Sequence, residues 1–233
     1  MDLYFVLVEP AVPENVGAAA RAMKTMGFSH LRIVNGCDRF DIRAQRMAHA
    51  STEILERAEI FSTLAAALSD IDLSIAATAR RRRVREDYHP ADQLPAFLAS
   101  KGKSIERTAL VFGREDRGLH NEEIDQCDAV TCINLSRKQP SLNLAQAVML
   151  YAYELSGFGF VCSGTKPRRS ATEASFGALK KSAKGILDML DLPDTVRRRL
   201  GERIAMLTDI DVQLLHSVVR ELKRVNPSLR DPA

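Results

Sequence analysis

The segment ENVGAAARAMKTMGF, residues 14–28, places an arginine in a predicted helix made mostly of small residues. Arg21 follows Gly17 by four positions, so both share one helix face, where a ligand that approached the glycine backbone would meet the guanidinium. Asn15 is the predicted N-cap of this helix. Because arginine stays protonated in proteins, Arg21 is either a solvated surface charge or a side chain whose partner comes with a ligand. The helix alone leaves both interpretations open.

A second polar cluster follows an apolar strand in ALVFGREDRGL, residues 109–119. Gly113 ends the strand, and Arg114 and Glu115 are the first charged residues of the loop that follows. Because α/β proteins bind ligands at the carboxyl ends of parallel strands, this loop is a candidate binding site. The alternative is a charged turn that faces solvent.

A third candidate begins a helix that is apolar on nearly all sides, in QPSLNLAQAVML, residues 139–150. Pro140 stiffens the entry to this helix, and Ser141 is a predicted N-cap. Asn143 lies in the first turn. Since the helix is buried, its polar first turn faces either neighbouring loops or a ligand. A cap accounts for Ser141 but less well for Asn143.

An arginine run follows a predicted strand end in AATARRRRVRED, residues 76–87. Five arginines fall within six residues, namely Arg80, Arg81, Arg82, Arg83 and Arg85. A guanidinium binds phosphate through two parallel hydrogen bonds, so the run is a candidate phosphate-binding segment. The alternative is an exposed basic loop without a partner.

These four segments belong to a chain in which short apolar runs alternate with helical patterns as far as about residue 160. The strand candidates are rich in Val, Ile and Leu, as buried parallel strands are: Tyr4–Val8, Leu31–Val34, Leu73–Ala77, Thr108–Phe112 and Val130–Ile133. The predicted helices between them are Val16–Met26, Ile42–Ala50, Ser62–Leu68, Asp92–Ser100, Asn121–Gln126 and Leu142–Leu155. This order predicts an α/β domain with a mostly parallel sheet over residues 1–160.

The rest of the chain has a different composition. Residues 161–170 form a predicted linker, and residues 171–233 form a predicted extension of three short amphipathic helices. From residue 165 onward there are 14 Lys and Arg against 9 Asp and Glu, a charge of +5, whereas the first 164 residues hold 19 against 21, a charge of −2. A basic extension indicates an anionic partner, with nucleic acid as the first candidate, or a solvated basic surface without function.

Composition and missing motifs exclude several classes of protein. The chain of 233 residues is 45% hydrophobic and 27% charged, which is typical of a globular protein. It has no recognisable signal peptide and no apolar run long enough for a membrane span, and its four cysteines lack the spacing of zinc ligands. We therefore expect a cytoplasmic protein that binds neither a membrane nor a metal. Neither a dinucleotide-binding fingerprint nor a phosphate loop is present.

Three of the motifs in fixed order resemble a known family. N-x-G-x-x-x-R at residues 15–21, LVFGRE-x-x-GL at residues 110–119 and SLNL at residues 141–144 are similar to the motifs of the SpoU group of SPOUT methyltransferases, which methylate the ribose 2′-oxygen of tRNA or rRNA. RAMKTMGF and the helical extension most resemble the bacterial subfamily that methylates ribose 32 in the tRNA anticodon loop.

The resemblance implies a fold, a cofactor and site residues. It implies a C-terminal trefoil knot, a homodimer, S-adenosylmethionine as methyl donor, and an RNA substrate, with tRNA preferred. By position, the donor site comprises Ala77, Thr78, Ala79, Gly113, Ile133, Pro140, Ser141 and Leu142. The catalytic set comprises Arg21, Asn15, Asn143 and Glu115, and RNA contacts are expected from Arg114 and the arginine run. An rRNA methyltransferase of the same fold and a non-catalytic RNA-binding protein are the alternatives.

Overall fold

A single parallel sheet organises the protein. The computed structural model describes residues 1–79, 88–136, 142–157, 176–190 and 192–226. Within these ranges, seven strands pair in the order β3-β2-β1-β6-β4-β7-β5, and every pairing is parallel. The strands are β1 (Asp2–Val8), β2 (His30–Val34), β3 (Glu59–Phe61), β4 (Leu73–Ala77), β5 (Tyr88–Pro90), β6 (Arg107–Phe112) and β7 (Ala129–Cys132).

Helices cover both faces of this sheet. Those that the structure describes are α1 (Pro13–Thr25), α2 (Ile42–Ala48), α3 (Thr52–Arg57), α4 (Leu64–Ala67), α5 (Leu94–Ala99), α6 (Asn121–Asp125), α7 (Leu144–Ser156), α8 (Phe176–Met189), α9 (Asp194–Ala205) and α10 (Asp209–Val225). Side chains of the helices and the strands form two apolar clusters, one on each face of the sheet. The larger one includes residues of α1, α7 and α8, and the smaller one includes residues of α4 and α6. A sheet covered on both faces explains why the strands read as continuous apolar runs.

The predicted α/β architecture is confirmed. All five predicted strands are present, each within two residues of its expected bounds, whereas β3, β5 and α3 were not predicted. The knot and the homodimer stay predictions of the resemblance. No helix in the described ranges is long and apolar enough to cross a membrane.

The position of β6 determines where a site can form. This strand lies between β1 and β4, although some 30 residues separate it from β4 in sequence. The carboxyl ends of β1, β6, β4 and β7 are therefore neighbours at one edge of the sheet. Polypeptide loops that are distant in sequence meet at such an edge.

The helical extension packs directly on the α/β domain. Phe176, Leu179, Ala205 and Val212 are buried in the larger apolar cluster. Lys101, which follows α5, is fully buried and donates hydrogen bonds to the carbonyls of Ala205 and Leu207 at the end of α9. The predicted linker, residues 161–170, lies outside the described residues, so the division into domains stays a prediction.

Candidate active site

A cavity opens at the shared carboxyl edge of β4, β6 and β7. The predicted donor-site residues Ala77, Thr78, Ala79, Gly113, Ile133 and Leu142 all line it, as does Glu115. Leu135, Leu144, Ala147 and Tyr151 complete an apolar wall that was not predicted. Pro140 and Ser141 lie outside the described residues. The structure therefore brings six of the eight predicted donor-site residues to one cavity.

Gly113 allows the loop after β6 to fold back on itself. A Cβ atom at this position would lie 2.1 Å from the carbonyl carbon of Gly118 and 2.2 Å from the amide nitrogen of Leu119, far inside any normal contact. Gly118 has a φ of +68°, and a bridge pairs it with Arg114. Glycine is needed at position 113 because the backbone of Gly118 and Leu119 occupies the space that any Cβ atom would take.

Glu115 joins that loop to the start of α1. Its carboxylate accepts hydrogen bonds from the amides of Ala11 (3.1 Å) and Val12 (3.2 Å) and from Nδ2 of Asn15 (2.8 Å). Partial burial would raise the pKa of Glu115, but these hydrogen bonds to the charged form outweigh burial and hold the pKa below its ordinary value. Glu115 is therefore a carboxylate that positions other groups, and it is poorly suited to be a base.

Asn15 and Asn143 extend the connection to α7. The Asn143 amide Nδ2 donates to Oδ1 of Asn15 over 2.8 Å, and Oδ1 of Asn143 accepts from the amide of Ala145. Asn143, rather than Ser141 as predicted, is the N-cap of α7, because the helix begins at Leu144, and Gln146 completes a capping box. We call the chain Glu115–Asn15–Asn143 the carboxamide relay. It joins the loop after β6 to the first turns of α1 and α7.

Two predictions about α1 are wrong. Asn15 does not cap the helix, because α1 begins at Pro13 and Val12 is its N-cap. Gly17 is not open to a ligand, because the helix packs there against α2, where an added Cβ would lie 2.0 Å from the carbonyl oxygen of Ala44. Glycine at this position serves close packing of two helices.

Arg21 lies on the exposed surface of α1, six residues and about 9 Å along the axis from Asn15. Neither a hydrogen bond nor an ion pair joins its guanidinium to any other residue within the described part of the chain. It is not among the described residues that line the cavity. Arg21 is therefore available to a partner that approaches the outside of α1.

Arg114 was predicted to contact RNA, and in the structure its guanidinium binds two carboxylates of the chain itself. Its Nε donates to Glu9 (2.8 Å), and its two terminal nitrogens donate to the carboxylate of Glu123 (both 3.0 Å). These hydrogen bonds raise the pKa of Arg114 above its ordinary value. Nothing in the sequence marks Glu9 or Glu123 as its partners. The other predicted RNA contacts, Arg80, Arg81, Arg82, Arg83 and Arg85, lie outside the described residues.

No metal centre is visible in the described ranges. They contain no group of three or more His, Cys, Asp or Glu side chains that is placed to hold an ion. Of the cysteines within these ranges, Cys127 and Cys132 are buried, Cys37 is half-buried, and all three are free thiols.

The chain is similar to known RNA methyltransferases. The model of the SpoU rRNA Methylase family matches residues 2–153. An uncharacterized tRNA/rRNA methyltransferase, LasT of Escherichia coli, is 38% identical over 226 residues, which cover 96% of this chain and 98% of LasT. The tRNA (cytidine-2'-O-)-methyltransferase TrmJ of Methanocaldococcus jannaschii is 38% identical over 154 residues, which cover 64% of this chain and 65% of that protein.

A solved structure extends the similarity to the helical extension. TrmJ from Z. mobilis matches with a TM-score of 0.70 and 26% identity, covering 96% of this chain and all of that one. The family match includes the cavity, the carboxamide relay and Arg21. The chain therefore belongs to the SpoU rRNA methylase family.

Proposed function

We propose that this protein transfers a methyl group from S-adenosylmethionine to the 2′-oxygen of a ribose in RNA. The observation that carries the proposal is the carboxamide relay, which begins at Glu115 in the lining of the cavity. It fixes three elements that are distant in sequence, and its members are the motif residues on which the family resemblance rests. No such network is needed merely to cap α7.

The cavity suits a methyl donor with an adenosine group. Ile133, Leu135, Leu144 and Ala147 provide apolar contacts for a flat base, while Ala77 and Gly113 leave room for backbone contacts at the strand ends. S-adenosylmethionine bound there would supply the electrophilic methyl group. The residues of this chain would bind it, exclude water from it and hold the loop after β6 in place.

Arg21 has the chemistry to position the acceptor. Its planar fork can bind a phosphate oxygen and the ribose hydroxyl together, and its charge stabilises the alkoxide character that develops as the hydroxyl loses its proton. Positioning of two reactants alone supplies about 7–11 kcal/mol of the barrier in well-oriented reactions. In this proposal, Arg21 orients and stabilises, and the carboxamide relay holds the helix that carries it.

We propose tRNA as the substrate, with the ribose at position 32 of the anticodon loop as the target. Similarity to TrmJ and the basic extension support a tRNA substrate. The choice of position 32 rests on the resemblance of RAMKTMGF and the helical extension to the ribose-32 subfamily. The expected homodimer is also part of the proposal. An rRNA target, with which the description of the matched family agrees, and a non-catalytic RNA-binding protein are the competing functions.

The decisive experiment compares nucleosides from cells that contain or lack the protein. We expect mass spectrometry of nuclease-digested tRNA to show the loss of one 2′-O-methyl nucleoside, and incubation of that tRNA with purified protein and S-adenosylmethionine to restore it. Loss of a modification only from rRNA would shift the target to the ribosome. Donor binding without methylation of either RNA, or RNA binding without donor binding by calorimetry, would contradict the proposed activity.

A further inference from the structure

Arg114 and Glu115, which are adjacent in the loop after β6, both form hydrogen bonds with the segment between β1 and α1. We propose that Arg114 is a positioning residue for methyl transfer, which holds this loop between Glu9 and Glu123. The inference rests on the proposed function, because it assigns a role within the same site. It replaces the expectation that Arg114 contacts RNA.

The contact with Glu9 reaches the end of β1. Glu9 has a φ of +46°, a left-handed backbone conformation that is uncommon for a residue other than glycine. Its amide donates to the carbonyl of Val34 over 2.7 Å, so the backbone is held as it turns out of the sheet. This turn brings the Glu9 carboxylate to Nε of Arg114. Two residues later, the amides of Ala11 and Val12 reach Glu115.

The contact with Glu123 reaches α6. Both terminal nitrogens of Arg114 bind the Glu123 carboxylate, and the same carboxylate accepts the amide of His120 over 2.7 Å. The Arg114 and Glu123 side chains are each only 14% exposed. A planar guanidinium fills this site with three hydrogen bonds to two carboxylates, which a lysine ammonium cannot reproduce in the same plane. Carboxylates of the chain itself therefore engage three of the five N–H donors of Arg114, which leaves fewer for an RNA phosphate.

The consequence of these contacts is a loop whose shape is set before any ligand binds. The backbone of Arg114 pairs with Gly118 to close the loop, its side chain ties the closed loop to Glu9 and Glu123, and the loop lines the cavity. Without Arg114, Glu115 would lose its fixed approach to the start of α1. We expect weaker donor binding and slower transfer, with RNA binding unchanged.

Arg117 is a matched control on the same loop. Its side chain is 74% exposed and pairs with Asp116, which is 67% exposed. If this loop uses an arginine to bind RNA phosphate, the exposed Arg117 is the one that is accessible. Replacing either arginine by methionine removes one positive charge from the same loop, but only Arg114→Met breaks the contacts with Glu9 and Glu123.

The experiment uses the full-length protein with Arg114→Met, Arg114→Lys, Glu9→Gln and Arg117→Met. Calorimetry gives donor affinity, titration with tRNA at several salt concentrations gives RNA affinity and its salt slope, and hydrogen exchange follows the peptide that contains Ala11 and Val12. We expect Arg114→Met to weaken donor binding at least tenfold and to speed exchange in that peptide, with an unchanged salt slope. Arg114→Lys should lose more than half as much free energy of donor binding as Arg114→Met loses. Glu9→Gln should show a smaller loss of the same kind. Arg117 also lines the cavity, so Arg117→Met is the control for the loop contacts and should leave exchange in that peptide at the wild-type rate.

Several outcomes would overturn the role of Arg114. One is wild-type donor affinity together with wild-type exchange in Arg114→Met. Another is a reduced salt slope with intact donor binding in the same variant, because loss of a phosphate contact lowers the salt slope. If Arg114→Met does not fold, Glu9→Gln decides, since normal donor affinity and exchange in that variant would refute the role. Failure of the wild-type protein to methylate RNA contradicts the proposed function, whereas the exchange measurement tests the loop contacts independently.

Discussion

Lys101 offers a test of how the helical extension is held on the α/β domain. Its ammonium is fully buried, donates to the carbonyls of Ala205 and Leu207, and lies 4.5 Å from the centre of the Phe97 ring. Burial lowers the pKa of Lys101 from an ordinary value of 10.5 to about 8, although Asp128 and Asp211 oppose the shift. Since the unfolded chain holds this proton up to a higher pH, the folded state gains stability as the pH rises from about 8 to 10.5.

The size of this effect follows from the shift in pKa. Since one pKa unit corresponds to 1.36 kcal/mol, the free energy of unfolding rises by about 3 kcal/mol in all, of which about 2 kcal/mol falls between pH 7.5 and 9.5. The assay is urea unfolding of the wild type and of Lys101→Met at both pH values. All other groups titrate in the variant as well, so their contribution cancels in the difference between the two proteins. The free energy of unfolding of the wild type relative to Lys101→Met should therefore rise by about 2 kcal/mol from pH 7.5 to 9.5. An equal pH dependence of the two proteins would show that Lys101 is not a buried, titrating link to α9.

Two further predictions concern the proposed site. Arg21→Ala should leave donor affinity near normal while single-turnover methylation falls a hundredfold to a thousandfold, or about 2.7–4 kcal/mol, as for loss of a preorganised electrostatic donor. The control is Lys24→Ala, which removes another exposed positive charge from the same helix. Wild-type turnover in Arg21→Ala would make Arg21 a surface charge. Gly113→Ala should weaken donor binding more than tenfold in calorimetry because its Cβ would collide with the backbone at Gly118. Gly157→Ala, at an ordinary φ of −78° with no atom within 4 Å of the added Cβ, should bind the donor normally, and equal behaviour of the two glycine variants would contradict the steric argument.

The central strands could be predicted from sequence because burial on both faces leaves a clear pattern. In β1, six of seven residues are buried, and β6 is similar. The missed strands β3 and β5 have three residues each, and their side chains are half-buried or exposed. At the edge of a sheet, the pairing of backbone with a neighbour defines the strand, and this pairing leaves no signal in side-chain hydrophobicity.

The site could be predicted only in part. The motifs supplied the members of the carboxamide relay, but Asn15 is separated by 100 residues from Glu115 and by 128 from Asn143, so no spacing rule brings them together. The left-handed turn at Glu9 and the two-carboxylate environment of Arg114 are likewise products of tertiary structure. Gly17 was misinterpreted because a glycine that admits a ligand and one that admits a neighbouring helix look identical in sequence.

The positive charges of the extension are not all available to RNA. Lys180 donates to the Asp72 carbonyl and to Asp128, so it fastens α8 to the α/β domain. Arg197 pairs with Asp188, whereas Arg199 and Arg203 are exposed one turn apart on α9 with no ion pair to another described residue. We therefore expect Arg199→Ala with Arg203→Ala to weaken RNA binding and to flatten its log–log salt slope by about 0.7–0.9 for each phosphate that the protein no longer binds. Arg197→Ala should change the slope much less, and equal slopes for all variants would mean that α9 does not face the RNA.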